Sequence, residues 1–249
     1  MSRWNFATLA LVIALAGAVG CKPPATAPIS PNGTNAPASP AVALPSAGAE
    51  SPLPVIDLDE GGAEALAKAD ALAAAGQGAA AEKAYRDLLK QHPDNEEAHF
   101  SLGFLLAQAG QTNDAVHHYQ EAIRVLPTYS EAHNNLGNLF VRMKRFEDAI
   151  PHFQSALKAN PTNSNTYNNL GTAYASAGKL TEAVPNFTRA AQLNPDYVEA
   201  WFNLGNTYNN LGRWEEAIPP LQIALKLRPD LGPAQRALQR ARAKLPAPH

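Results

Sequence analysis

A strictly periodic repeat is the feature that most constrains the fold of this chain. Four Leu-Gly pairs and five alanines recur at one constant interval, and a large ring or a leucine follows each alanine four residues later. A period of roughly 34 residues predicts an array of stacked structural repeats. The interval is marked most clearly by five prolines: Pro93, Pro127, Pro161, Pro195 and Pro229.

The recurring residue types have a mechanical interpretation. A proline cannot continue a helix, so the recurrent proline separates one repeat from the next. Glycine or alanine suits a place where two helices cross closely, and the ring fills the gap towards the neighbouring repeat. Each repeat is therefore expected to be an antiparallel helix pair. Glycines are expected to close many of the first helices: Gly76, Gly110, Gly178 and Gly212.

The pattern resembles the tetratricopeptide repeat, whose signature is W-x2-L-G-x2-Y…A-x3-F…P. The residues that match this signature are Trp201, Leu204, Gly205 and Tyr208 in its first half, and Ala183, Phe187 and Pro195 in its second. The resemblance covers 62–231 and implies an all-α fold, a right-handed superhelical solenoid of about five helix hairpins. The five repeats are 62–95, 96–129, 130–163, 164–197 and 198–231.

Both ends of the array are expected to carry caps. The first repeat is degenerate, because Lys68-Ala69 stands in place of Leu-Gly. At the other end, apolar residues recur at three and four residues and predict a capping helix over 232–245. This helix carries four basic residues and no acid, which suits either a solvated face or a docking patch for an acidic partner or lipid headgroup. The basic residues are Arg236, Arg240, Arg242 and Lys244.

The first twenty residues have the features of a signal peptide. Arg3 provides a positive start, and 7–19 form an uncharged, mostly apolar stretch that is short for a membrane span. The stretch ends in Ala18-Val19-Gly20-Cys21, which resembles a bacterial lipobox. The resemblance implies a lipoprotein signal peptide over 1–20 and a lipidated Cys21. There are two alternatives. Cleavage after Ala18 would release a soluble secreted or periplasmic protein, and an uncleaved stretch would remain as an anchor.

The segment 21–61 is rich in Pro, Ala, Ser and Gly and lacks an apolar period. Such a segment buries too little surface to offset its ordering entropy, so we expect a disordered tether. Lys22 follows the lipidated cysteine. In the Gram-negative lipoproteins that the motif resembles, an Asp at that place favours retention in the inner membrane. Lys22 therefore implies the outer membrane, facing the periplasm.

The sequence offers no catalytic motif. It contains no phosphate-binding Gly-rich loop, no nucleophile elbow and no His-Glu-x-x-His. A formal charge of −2 gives no basic excess for nucleic acid, and a single cysteine excludes an intrachain disulfide and a cysteine-rich metal site. His99 and His133 stand where the repeat places a packing aromatic, so we interpret them as partly buried core residues. No cofactor, metal or small-molecule substrate is expected.

The resemblance also implies that the first helices line a concave groove. Phe100, Phe104 and Phe202 are expected to supply apolar contacts at its two ends. The groove places of repeats three to five are rich in asparagine, whose amide can pair with both the N–H and the C=O of an extended peptide. The alternative is that some of these amides only bond between helices. The asparagines are Asn134, Asn135, Asn138, Asn165, Asn168, Asn169, Asn203, Asn206, Asn209 and Asn210.

The sequence does not favour binding of a partner's C-terminal carboxylate. Repeats that clamp a C-terminal carboxylate need Lys or Arg at the fifth and sixth places of the first helix. In repeats two to five these places hold Phe100-Ser101, Asn134-Asn135, Asn168-Asn169 and Phe202-Asn203.

These features together predict a non-enzymatic, lipid-anchored adaptor that binds an extended peptide or a partner protein in the bacterial cell envelope. A pilotin-like factor, which would escort an outer-membrane secretin, is the second hypothesis, and an enzyme is the third. The expected partners are a protein or peptide and, through the lipid, a membrane.

Overall fold

The computed structural model describes residues 60–245. The chain divides into two compact units, and the boundary in the sequence falls between Pro93 and Asp94. The predicted signal peptide, the lipidation of Cys21 and nearly all of the predicted tether lie outside the described residues. Glu60 and Gly61, at the end of that tether, already belong to the first helix. Within 60–245, no helix is both long and apolar enough to cross a bilayer.

The described part of the first compact unit is a helix hairpin. Helix α1 spans Glu60–Ala74 and helix α2 spans Gly78–Gln91. The hairpin buries Ala69, Tyr85 and Leu88, and the Tyr85 hydroxyl donates a hydrogen bond of 2.6 Å to the carboxylate of Asp70. Burial raises the pKa of Asp70, and this hydrogen bond acts in the opposite direction.

The second compact unit contains four further hairpins and a final helix. The first helix of each hairpin packs on the second, and the first helices of successive repeats also contact one another. The all-α repeat fold expected from the sequence is confirmed, and residues 60–245 contain no strand. The helices are α3 (Glu96–Gln108), α4 (Thr112–Val125), α5 (Ser130–Arg142), α6 (Phe146–Ala159), α7 (Ser164–Ser176), α8 (Leu180–Leu193), α9 (Val198–Asn210), α10 (Trp214–Leu227) and α11 (Gly232–Lys244).

The glycine of each Leu-Gly pair lies where the two helices of its hairpin cross. A β-carbon on Gly171 would stand 2.7 Å from a ring carbon of Phe187, and a β-carbon on Gly137 would stand 2.7 Å from the ring of Phe153. Such distances are too short for a carbon–carbon contact, so a larger residue at these crossings would have to displace the ring. Phe187 also belongs to a buried cluster with Leu204 of the following repeat. The ring therefore fills the hairpin and the gap to its neighbour together.

The turn inside each hairpin has a left-handed residue. Gly110, Gly178 and Gly212 have φ angles of 76°, 78° and 73°. The next backbone N–H donates five residues back, as from Lys179 to the carbonyl of Tyr174 at 2.9 Å. This pattern is a Schellman cap, and it favours glycine because other residues pay a steric penalty there. Repeat three places Lys144 at the same point, with a φ of 59°.

The recurrent proline has a second role through its carbonyl oxygen. The side chain at the fourth place of the following first helix donates to this oxygen, from Trp201 to Pro195 at 2.8 Å and from Gln235 to Pro229 at 2.8 Å. The carbonyl of a residue just before a helix has no partner within that helix. The side-chain bond satisfies it and ties the loop to the helix.

Candidate peptide-binding groove

The first helices α3, α5, α7, α9 and α11 contact one another in order and form one surface, called here the first-helix face. The asparagines singled out in the sequence lie on three of these helices, α5, α7 and α9. These three helices begin one repeat interval apart, at Ser130, Ser164 and Val198. Equivalent places on neighbouring helices are therefore adjacent, and the structure brings the asparagines together in a row.

Hydrogen bonds join several of these amides across neighbouring repeats. The Asn203 Nδ2 donates to the Asn168 Oδ1 at 3.0 Å. The Asn134 Oδ1 accepts from the Thr166 hydroxyl at 3.1 Å and from the Asn169 Nδ2 at 3.4 Å. These amides hold one repeat to the next, which is the structural alternative considered from the sequence. The same bonds also fix the orientation of the amide groups on the first-helix face.

Two of the asparagines are buried. Asn168 is 7% exposed, and Asn209 is 2% exposed. The Asn209 Nδ2 donates to the carbonyl of Ala237 on α11 at 2.9 Å, while its Oδ1 is buried without a hydrogen-bond partner in the described residues. Both side chains therefore serve contacts between helices.

Asn135 and Asn138 on α5 are half-buried. The Asn138 side chain makes no hydrogen bond with any residue in 60–245. The Asn135 side chain is hydrogen-bonded to the Tyr119 hydroxyl. Burial raises the pKa of Tyr119, and this bond acts in the opposite direction. The amides of Asn138 and of Asn165 on α7, which also has no side-chain hydrogen bond within 60–245, are therefore available to a ligand.

The three phenylalanines differ in accessibility. Phe104 is exposed and is one of the few large apolar side chains on the surface of the described chain. Phe100 is half-buried and packs on Tyr129, with ring centroids 4.9 Å apart. Phe202 is half-buried against the cluster that α11 covers. Phe104 is therefore the one most able to contact a ligand.

A shallow cavity of about 180 Å³ opens on the first-helix face between α7 and α9. Polar side chains of α7 and α9 line it, together with the apolar side chains of Ala175 on α7 and of Leu180 and Phe187 on α8. Such a cavity suits a small aliphatic side chain of a bound segment. The polar lining residues are Thr172, Ser176, Asn203, Asn206, Thr207 and Asn210.

Sequence reasoning did not find two histidine pairs inside the hairpins. The Nδ1 atoms of His99 and His118 lie 3.0 Å apart, and those of His133 and His152 lie 3.1 Å apart. His99 and His133 are buried, as expected. The signal that could have revealed the pairs is the common spacing of 19 residues between a first and a second helix.

The hydrogen bonds of the second pair determine its tautomers. The His133 Nε2 lies 3.1 Å from the carbonyl oxygen of Pro127, so this nitrogen carries the proton. Its Nδ1 is then the acceptor, and His152 donates from Nδ1. Burial lowers the pKa of both histidines; the bond to Pro127 opposes this for His133, and Asp148 opposes it for His152. Within 60–245 no group of three or more His, Cys, Asp or Glu side chains is arranged to hold a metal ion.

Comparison with known proteins agrees with this geometry. The family model described as the Cilia and flagella-associated protein 70 C-terminal domain, a tetratricopeptide-repeat family, matches residues 27–231. The chain belongs to this family. No curated protein matches it.

Solved structures share the fold at low sequence identity. A crystal structure of YrrB, described as a TPR protein with an unusual peptide-binding site, is 22% identical with a TM-score of 0.66, over 70% of this chain and 90% of that one. A crystal structure of MamA is 25% identical with a TM-score of 0.62, over 70% of this chain and 97% of that one. MamA from Desulfovibrio magneticus RS-1 is 17% identical with a TM-score of 0.64, over 71% of this chain and 99% of that one.

Proposed function

We propose that this protein is a non-enzymatic, lipid-anchored adaptor whose first-helix face binds an extended segment of a partner protein in the bacterial cell envelope. The observation that carries the proposal is the row of amides, in which bonds between repeats orient some members and leave Asn138 available. An oriented amide row can pair with a peptide backbone without requiring particular side chains. The peptide-binding site of YrrB, which shares the fold, supports this use of the repeat.

Site-specific photocrosslinking tests the use of this face. Benzoylphenylalanine in place of Phe104, which is exposed on α3, should yield discrete covalent adducts in cells. The matched control replaces Arg189, which is exposed on the second helix α8. Adducts of equal yield from both positions, or from Arg189 alone, would contradict the proposal. A secretin enriched above all other adducts would instead favour the pilotin-like role.

The lipid anchor is the second part of the proposal, and it rests on Cys21 at the end of the apolar stretch. Acylation contributes roughly 0.8 kcal/mol per buried methylene, so two or more chains anchor a protein stably. Replacing Cys21 by Ser should release the protein from the membrane fraction and abolish labelling with a fatty-acid analogue. A mutant that still sediments with membranes as a cleaved, unlabelled species would show that the chain is held in another way.

A further inference from the structure

We propose that the α11 end of the first-helix face binds acidic segments of the partner, with a cluster of basic side chains supplying the specificity that the amides lack. This inference rests on the proposed peptide-binding function. It assigns a role to the basic residues of the C-terminal helix.

The register of α11 places its basic side chains on the first-helix face. Helix α11 begins at Gly232, one repeat interval after the start of α9 at Val198, and it packs on α9. It therefore takes the position of a sixth first helix. Its fifth, ninth and thirteenth places, which belong to the groove in the preceding repeats, hold Arg236, Arg240 and Lys244. Repeats two to five lack a basic residue at the fifth place, whereas α11 has one there.

Arg240 is held in place by neutral groups. Its Nη2 donates to the Asn206 Oδ1 at 3.3 Å and to the Asn210 Oδ1 at 3.2 Å. These amide oxygens orient the guanidinium without compensating its charge. An amide whose oxygen accepts from an arginine keeps both N–H donors. Arg240 and its two supports therefore form a group of donors suited to a carboxylate.

The surroundings of this group contain few competing anions. Helix α11 has no acidic residue, and none of the ion pairs found within 60–245 includes one of its basic side chains. Glu199 on α9 is already paired with Arg228 at 3.0 Å. By contrast, Arg213 on the neighbouring hairpin is bound by Glu216. The positive charge of α11 is thus available to a ligand.

The cavity between α7 and α9 adds an apolar contact beside the charge. Asn206 and Asn210, which hold Arg240, also line the cavity. A segment with an acidic side chain on Arg240 can place a neighbouring small aliphatic side chain above Leu180 and Phe187. This combination favours a peptide over a membrane surface, because a flat bilayer does not enter a cavity bounded by two helices.

Fluorescence anisotropy with synthetic probes tests the inference. The full chain carrying Cys21→Ser is titrated against fluorescein-labelled poly-Glu and against a poly-Gln peptide of equal length. We expect tighter binding of poly-Glu, with an affinity that falls as salt is added. Arg240→Gln should weaken poly-Glu binding about tenfold or more, since hydrogen bonds to charged groups are the strong ones. Arg240→Lys keeps the charge but not the planar pair of guanidinium donors, so its affinity for poly-Glu should lie between those of the wild type and Arg240→Gln.

Two further variants separate the proposed role from effects on folding. Arg236→Gln should also weaken poly-Glu binding, and Arg236 makes no hydrogen bond to α9 among the described residues. Arg189→Gln removes an exposed positive charge from α8 and should leave binding unchanged. Equal binding of the two peptides, or equal losses from Arg240→Gln and Arg189→Gln, would overturn the inference.

The failure of this inference is distinguishable from failure of the proposed function. Binding of poly-Gln as tight as poly-Glu, with Phe104 adducts intact, would leave the adaptor proposal standing and refute the acidic preference. A third titration uses vesicles of phosphatidylcholine with phosphatidylserine. Loss of vesicle binding in Arg240→Gln, with poly-Glu binding unchanged, would assign the basic cluster to the membrane and refute the peptide assignment.

Discussion

Substitution of the glycines at the helix crossings tests the packing that defines the repeat. At Gly171, a new β-carbon would meet three carbons of the Phe187 ring at 2.7, 2.8 and 3.0 Å. The ring is only 2% exposed and is packed against Leu204 of the next repeat, so it has little room to move. At Gly103, the equivalent β-carbon would stand 3.1 Å from the Tyr119 ring. The two sites share a register and differ mainly in this distance.

Two opposing effects determine how much Gly171→Ala changes the free energy of unfolding. Overpacking a well-packed core costs about 1–3 kcal/mol, and a clash with a buried ring belongs in the upper half of that range. Alanine improves the helix propensity by about 1 kcal/mol over glycine. The net loss should therefore be about 1–2 kcal/mol, or a fall in Tm of roughly 2–8 °C for a chain of this size. Gly103→Ala should be close to neutral, because only a few tenths of an ångström must be gained there.

Thermal unfolding followed by far-ultraviolet circular dichroism measures this difference, and urea unfolding checks it at constant temperature. The order expected is wild type and Gly103→Ala together, with Gly171→Ala clearly lower. A Gly171→Ala protein as stable as wild type would show that the ring relaxes freely. Equal losses at both glycines would show that the distance to the ring does not control the effect.

The described residues support three other predictions. Lys144→Gly should stabilise the protein by about 0.5–1 kcal/mol in urea unfolding. The left-handed conformation of a non-glycine residue costs roughly 1–2 kcal/mol, and the greater entropy of glycine in the unfolded chain offsets about half of the gain from removing that cost. Burial lowers the pKa of His133 and His152 below the ordinary 6.5. The unfolded chain therefore binds more protons than the folded protein just below that pH, and the free energy of unfolding should fall as the pH drops through it. His152→Gln should make this fall less steep than in the wild type, whereas substitution of an exposed histidine should not. Asn168→Ala should lower the Tm because it removes the acceptor of a hydrogen bond between repeats. Asn138→Ala should leave the Tm nearly unchanged and weaken binding of the poly-Gln probe. The opposite pattern would show that Asn138 stabilises the fold instead of binding a ligand.

The shared face of the asparagines was predictable from the sequence. Which amides contact solvent and which bond to a neighbouring helix was not. The constant repeat interval and the resemblance together place the asparagines on one face. Whether a given amide contacts solvent or a neighbouring helix depends on side-chain geometry across two repeats. Asn134 and Asn168 are asparagines at the same, fifth, place of successive first helices, yet only Asn168 is buried. No spacing rule separates them.

The sequence by itself determined the all-α fold, the helix-hairpin repeat and the small residues at the helix crossings. These features are readable because each depends on local spacing within one repeat, where a proline, a glycine or an alanine has a single steric reason to be present. The tertiary structure alone decided the histidine pairs, the bonds between amides and the placement of Arg240 over Asn206 and Asn210. Those contacts join residues on different helices, and they form only when packing brings two compatible polar side chains within about 3 Å.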